Sequence, residues 1–253
     1  LNTNYTVERS EVSAGYPVMV PVVDLVEIGN GGGSIAWVDE FQRLHVGPQS
    51  AGAVPGPVAY GIGGTEATTT DANLALGCIN PHYFCGGTIE ADMAAVERAL
   101  DRLATTLHTS RQEAARGIVR IANNNMVNAI KLISVNRGHD PRDFTLIAFG
   151  GGGGMHACAL ARELGIKKVV LASTHGYTAL KAAEVFRGSG IELIAVSIAA
   201  AFEPEGWIMS DAERKKVSGQ GVRVLPSLHG LADGVAEGLF GANTPGTVMA
   251  ETL

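Results

Sequence analysis

The chain is poor in the features that mark several large classes of protein. Its three cysteines, Cys78, Cys85 and Cys158, are an odd count without CxxC spacing. That speaks against a disulfide framework or a structural zinc site and fits a reducing cytoplasm. No run approaches the ~20 apolar residues of a membrane-spanning helix, and LNTNYTVERS lacks the basic and apolar regions of a signal peptide. Positive charge is in the minority, with 19 Lys and Arg against 25 Asp and Glu. The net charge of −6 argues against a nucleic-acid surface. No GxSxG is present, and Ser34 follows a glycine turn rather than a nucleophile elbow, which disfavours a serine hydrolase.

What the chain has is glycine, 33 residues with no Gly-x-y period, and a 46% hydrophobic share that supports one large core or two modest ones. Five glycines stand together in the run from Phe149 to Ala157. Ahead of them, Phe144 to Phe149 is rich in β-branched and aromatic residues and reads as a buried strand. Behind them, Met155 to Leu164 carries apolar residues at helical spacing and stops at Gly165. The order strand, glycine turn, helix brings a main chain without Cβ atoms to the positive end of a helix. There a phosphate, a ribose or an adenine ring can approach closely. No Lys or Ser/Thr follows the glycines as in GxxxxGK[ST], so the run also reads as a tight strand-to-helix crossover. His156, just after the glycines, is placed either to hold a phosphate or to brace the loop, with its pKa depressed by the helix N-terminus.

Residues 1 to about 87 are strand-like. Val18 to Ile28, Ser34 to Val38 and Phe41 to Val46 read as strands, separated by turns at Gly29 to Gly33 and Asp39-Glu40. The irregular run Gly47 to Gly64 is long for a compact domain and reads as site-lining. Thr68 to Gly77 reads as a short helix capped by Thr70 or Asp71. Asp71 either caps it or orients a metal-bound water or a substrate. Two amphipathic helices follow, over Ile89 to Leu107 and Arg111 to Val135. Asn123-Asn124-Asn125 in the second either bonds across to a neighbouring helix or walls a cleft. His139 sits in the loop beyond. The strands Lys167 to Ala172, Gly190 to Ser197 and Val222 to Leu225 alternate with helices from about Ala179 to Phe186 and Asp211 to Gln220, the register of a parallel sheet. Ser173, Thr174 and Thr178 beside Gly176 form a polar nest that either grips an anion or caps a helix.

In order along the chain stand Gly15-Tyr-Pro-Val-Met-Val-Pro21, Ile28-Gly-Asn-Gly-Gly-Gly-Ser-Ile-Ala36, Val46-Gly-Pro-Gln-Ser-Ala-Gly-Ala53, Pro55-Gly-Pro57, Tyr60-Gly61, Gly63-Gly-Thr65, Thr70-Asp-Ala-Asn-Leu74 and the segment Arg137 to Gly150. On these residues the stretch from about Gly15 to Gly165 resembles the hydantoinase A / oxoprolinase family, which includes ATP-dependent carboxylase subunits acting on acetone or acetophenone. The resemblance implies an actin-like ATPase with a ribonuclease-H-like core. In it Gly151, Gly152, Gly153 and Gly154 would line adenine and ribose. Asp71 and Asn73 would belong to an interior motif and are the candidate catalytic pair. ATP and Mg²⁺ are the implied cofactors, with no residue of this chain assigned as a metal ligand. The family's early acidic phosphate-loop segments are missing, which argues against autonomous ATP hydrolysis and implies a companion subunit or a missing remainder of the polypeptide.

Gly165 to Ala183, Phe202 to Gly206, Gly221 to Leu225, Leu228 to Leu231 and Ala250 to Leu253 resemble instead a pyruvate kinase C-terminal α/β domain. In that fold a turn like Ser173 to Thr178 binds a phosphorylated effector. The expected fold is therefore α/β: a partial actin-like, ribonuclease-H-like ATPase core over residues 1–165, then a parallel αβ three-layer segment over 166–253. The first residue is not Met and Leu253 ends in what should be a helix, so the chain reads as a truncated piece or a natural fusion.

The leading functional expectation is a cytoplasmic subunit or fragment of an ATP-dependent amidohydrolase or ketone carboxylase acting on a small molecule, without nucleic-acid or membrane partners. The alternative is a non-catalytic module that binds a small phosphorylated ligand through Ser173, Thr174, Gly176 and Thr178. A bare scaffold is the third reading.

Overall fold

The computed structural model describes residues 25–83, 90–198 and 208–226. Cys85, most of the strand expected at 18–28, and the segments 15–21, 202–206, 228–231 and 250–253 lie wholly or largely outside these residues.

Strands β1 (Ser34–Val38) and β2 (Leu44–Ser50) form an antiparallel hairpin. The second strand begins at Leu44 rather than Phe41, because Asp39 draws the intervening residues into a turn. Its Oδ1 accepts from the backbone N–H groups of Phe41 and Arg43, both at 2.9 Å. Helix α1 (Thr69–Ala75) is capped by Thr68, not by Thr70 or Asp71. The Thr68 hydroxyl accepts from the Asp71 N–H while the Asp71 carboxylate reaches back to the Thr68 N–H, a reciprocal capping box. Helices α2 (Met93–Thr106) and α3 (Arg111–Ile133) lie where the apolar periodicity puts them, and Asp92 and Ser110 cap them. Val96, Leu100 and Ile118 are fully buried and pack with Leu74 and the hairpin residues Ala36 and Val46.

Beyond α3 the chain alternates strictly between strand and helix. The elements are β3 (Thr145–Ala148), α4 (Gly150–Leu164), β4 (Lys168–Ala172), α5 (Tyr177–Phe186), β5 (Glu192–Ser197), α6 (Asp211–Ser218) and β6 (Arg223–Pro226). The strands form one parallel sheet in the order β3-β4-β5-β6. When neighbours in a sheet follow sequence order and every crossover has the same hand, the connecting helices fall on one face. Val169, Leu171, Leu193 and Ala195 accordingly share a core with Leu160 and Ala161 of α4, Ala179 and Phe186 of α5, and Val217 of α6. Where a three-layer segment is expected, the described residues thus make two layers. Ile147, on the other face of β3, is 61% exposed.

Helix α3 joins the two halves, since Met126 packs against both cores. Gly165 is the left-handed residue that ends α4, inside the β3-α4-β4 unit, and the second core holds residues from both sides of it. No described helix is long and apolar enough to cross a membrane.

Gly176, the N-cap of α5, has φ +81° and lies so near α6 that a Cβ would come within 2.5 Å of Val217 Cγ2. Gly176→Ala should therefore lower stability by more than the ~1–2 kcal/mol of a left-handed non-glycine residue. The check is the urea midpoint, which should fall with little change in slope.

Candidate functional site

The site grows from the ends of two adjacent parallel strands. β3 ends at Ala148 and β4 at Ala172, and each leads directly into a helix. The glycines do not precede α4 as a separate turn; they are its opening turns, from Gly150 onward, and Gly150 alone of the five has a positive φ, +77°. Phe149 stands at the N-cap in an extended conformation and gives no side-chain cap, and Gly176 gives none to α5. First-turn N–H groups have no partner within their own helix. Two positive helix ends therefore face one region at the carboxyl ends of the strands, where open α/β sheets hold ligands.

A cavity of about 660 Å³ opens there, a size suited to a small organic ligand. Ala148, Leu171, Ala157 and Phe186 give it apolar lining, and Gly150 and Gly154 give it bare main chain. Thr178 and Lys181 of α5 bring polar groups, and Gly77 and Cys78, just past α1, bring the first half of the chain to the same space. Lys181 Nζ lies 3.1 Å from Glu184 Oε2, which holds its pKa above the usual lysine range. The Cys158 thiol, also in the lining, is pushed up by burial and stays neutral. No carboxylate is among the described lining residues, and the described residues hold no group of three or more potential metal ligands.

Of the residues expected to contact nucleotide, Gly154 and Thr178 line the cavity. His156 is turned elsewhere: it is 8% exposed, and its Nδ1 lies 2.6 Å from Asn123 Oδ1 on α3. A carbonyl oxygen only accepts, so Nδ1 carries the proton and the ring braces α4 against α3. Ser173 is buried, and its hydroxyl accepts from the Ala179 N–H at 3.2 Å, serving as the cap that Gly176 cannot provide. Thr174 is exposed and outside the lining. Gly151, Gly152 and Gly153 belong to the helix head, and Gly152 and Gly153 are not among the lining residues.

Asp71 and Asn73 are buried inside the first half. Asp71 is 0% exposed, and its two oxygens accept from the N–H groups of Val58, Ala59 and Thr68 and from the Thr68 hydroxyl. With four donors on one carboxylate, it fixes the irregular 47–64 run to the head of α1 and turns no oxygen toward a substrate. Asn73 donates to the Thr69 carbonyl one turn back at 2.9 Å. Sequence reasoning missed Phe149, Tyr177 and Lys181 as lining residues. The available signal was the position of each aromatic at the junction of a strand-to-helix turn.

A mixed α/β chain with a parallel sheet and a glycine-headed helix beside a cavity at the strand ends is an open α/β fold, the class in which the strand ends are where ligands are held. The hydantoinase/oxoprolinase family model matches residues 1–183, past Gly165 and into α5, and the chain belongs to that family. It is 48% identical over 157 residues to the caprolactamase subunit alpha of Pseudomonas jessenii, covering 62% of this chain and 23% of that protein. It is 45% identical over 149 residues to the acetophenone carboxylase gamma subunit of Aromatoleum aromaticum, covering 58% and 20%. The crystal structure of the ATP-dependent caprolactamase from Pseudomonas jessenii superposes with a TM-score of 0.53 at 50% identity, over 56% of this chain and 20% of that one. The chain thus spans less than a quarter of the length of these relatives.

Two outcomes follow from the bracing residues. Asp71→Asn replaces an acceptor with a donor facing N–H groups and should cost about 3 kcal/mol, read as a lower denaturation midpoint. Burial holds the His156 pKa below the usual imidazole range. The unfolded chain therefore takes up the proton first, so stability present in full above about pH 6.5 is lost as the pH falls toward the folded-state value. Urea midpoints at pH 7.5 and 5.5 should differ in that direction, and His156→Gln should narrow the difference.

Proposed function

We propose that this chain is the adenosine-holding part of an ATP-dependent amidohydrolase or ketone carboxylase subunit, built on an actin-like, ribonuclease-H-like core. The observation that carries the reading is the head of α4. Gly150 and Gly154 present main chain without side chains to a cavity of about 660 Å³, and Tyr177 and Thr178 at the start of α5 line the same space. Several relatives are ATP-dependent or subunits by name, which supports both a nucleotide as ligand and a companion polypeptide. When bound, ATP would supply a phosphoryl group that turns an amide, enol or bicarbonate oxygen into a better leaving group. This chain's own residues would hold the base and sugar, and the helix ends and Lys181 would favour negative charge. In this reading Mg²⁺ and the reacting phosphates are held by groups outside the cavity, whose described lining residues include no carboxylate.

The alternative, a phosphorylated small ligand at the Ser173 to Thr178 turn, is weakened because the Ser173 hydroxyl is already spent on the Ala179 N–H. A cytoplasmic place for the protein rests on the free thiols of Cys78 and Cys158.

Gly154 separates site from fold. A Cβ built there meets no atom within 4 Å, and leucine is the better helix former by about 0.5–1 kcal/mol. Gly154→Leu should leave the chain at least as stable as the parent while filling the cavity. Calorimetric titration with ATP and ADP should show binding to the parent and none to the variant. Equal binding by both would remove the nucleotide from this cavity.

A further inference from the structure

Two aromatic side chains at the cavity have no role in either core. Phe149, at the N-cap of α4, is 67% exposed, and Tyr177, the first residue of α5, is 72% exposed. Aromatic residues make up 6% of the chain, and rings of this size are ordinarily spent on burial. Both instead line the same cavity. Their placement follows from the sheet: β3 and β4 pair in parallel with Ala148 opposite Leu171, so the turns that leave them lie side by side. Phe149 is the residue after β3, and Tyr177 follows Gly176, whose left-handed backbone and contact with α6 fix where α5 begins. The two residues thus line the same largely apolar space as the bare glycine head of α4, on positions set by main chain.

We propose that Phe149 and Tyr177 grip the flat base of the nucleotide by stacking, making this a purine site that accepts guanine nearly as well as adenine. The proposal rests on the nucleotide reading above. Stacking depends on ring area and polarisability, so it favours purines over pyrimidines and discriminates poorly between the two purines. The polar lining groups near Tyr177 are the Thr178 hydroxyl and the Lys181 ammonium. The hydroxyl both donates and accepts and so suits either purine edge.

The test is calorimetric titration of the full chain with ATP, GTP, CTP and tripolyphosphate, for the parent, Tyr177→Ala and Tyr177→Phe. The exposure of Tyr177 predicts unchanged thermal midpoints for both variants, which controls for folding. The parent should bind ATP and GTP within about 5-fold of each other and CTP at least 10-fold more weakly. Tyr177→Ala should weaken both purine nucleotides about 10-fold or more, leave tripolyphosphate unchanged, and be rescued by Tyr177→Phe. If ATP binds but Tyr177→Ala matches the parent, or if ATP exceeds GTP a hundredfold, the stacking grip is wrong while the nucleotide site stands. If the parent binds no nucleotide, both fall together.

Discussion

Side-chain amides on α3 and against it tie together the two cores of this protein, from both of which the cavity takes its lining. Asn123 meets His156 on α4, Asn125 donates to the Val46 carbonyl on β2 at 3.4 Å, and the Asn30 amide donates to the Ala122 carbonyl at 3.2 Å. The three amides are half-buried, and leaving such a group unbonded costs free energy, so these bonds favour one register of α3 against its neighbours over a slipped one. The partly buried Met126 of the same helix packs against both cores. With α3 so fixed, the residues after α1 come to face the head of α4, and the cavity takes lining from both halves of the chain.

Glycine serves two different ends in this arrangement. At Gly176 a positive φ and the close approach of Val217 demand it, and the consequence is the placement of Tyr177. At Gly154 nothing in the fold demands it, since a side chain would enter open space. A glycine that costs helix stability and relieves no clash has its reason outside the chain's own packing. That contrast, more than the number of glycines in the run, marks the head of α4 as a place where something else must fit.

Much of this was legible in the residues. The amphipathic repeats of α2 and α3 and the strand–helix alternation after Phe144 gave elements within a few residues of those observed, because long periodic patterns leave few alternatives. The Asn123 to Asn125 run was readable as a bridge for the same reason that it is one: three amides inside an amphipathic helix cannot all face water. What was hidden depended on distant partners. That Asp71 would be saturated by the N–H groups of Val58 and Ala59 follows from the path of a loop, not from any local pattern. His156 and Ser173 are next to the cavity in sequence but bond to Asn123 and Ala179. Adjacency to a glycine turn did not say which way either side chain would point. The positions of Phe149 and Tyr177 at strand-to-helix turns were legible, but β-strand and helix propensities say nothing about which aromatic stays in water.

The central claim, that the head of α4 receives the base and sugar of a nucleotide, is tested most directly by amide hydrogen exchange with and without saturating ADP. Slowed exchange is expected at Gly150 to Gly154 and at the start of α5 around Tyr177 and Thr178, with α2 and the β1–β2 hairpin unchanged. Slowed exchange confined to other segments, or none at any ADP concentration, would contradict it.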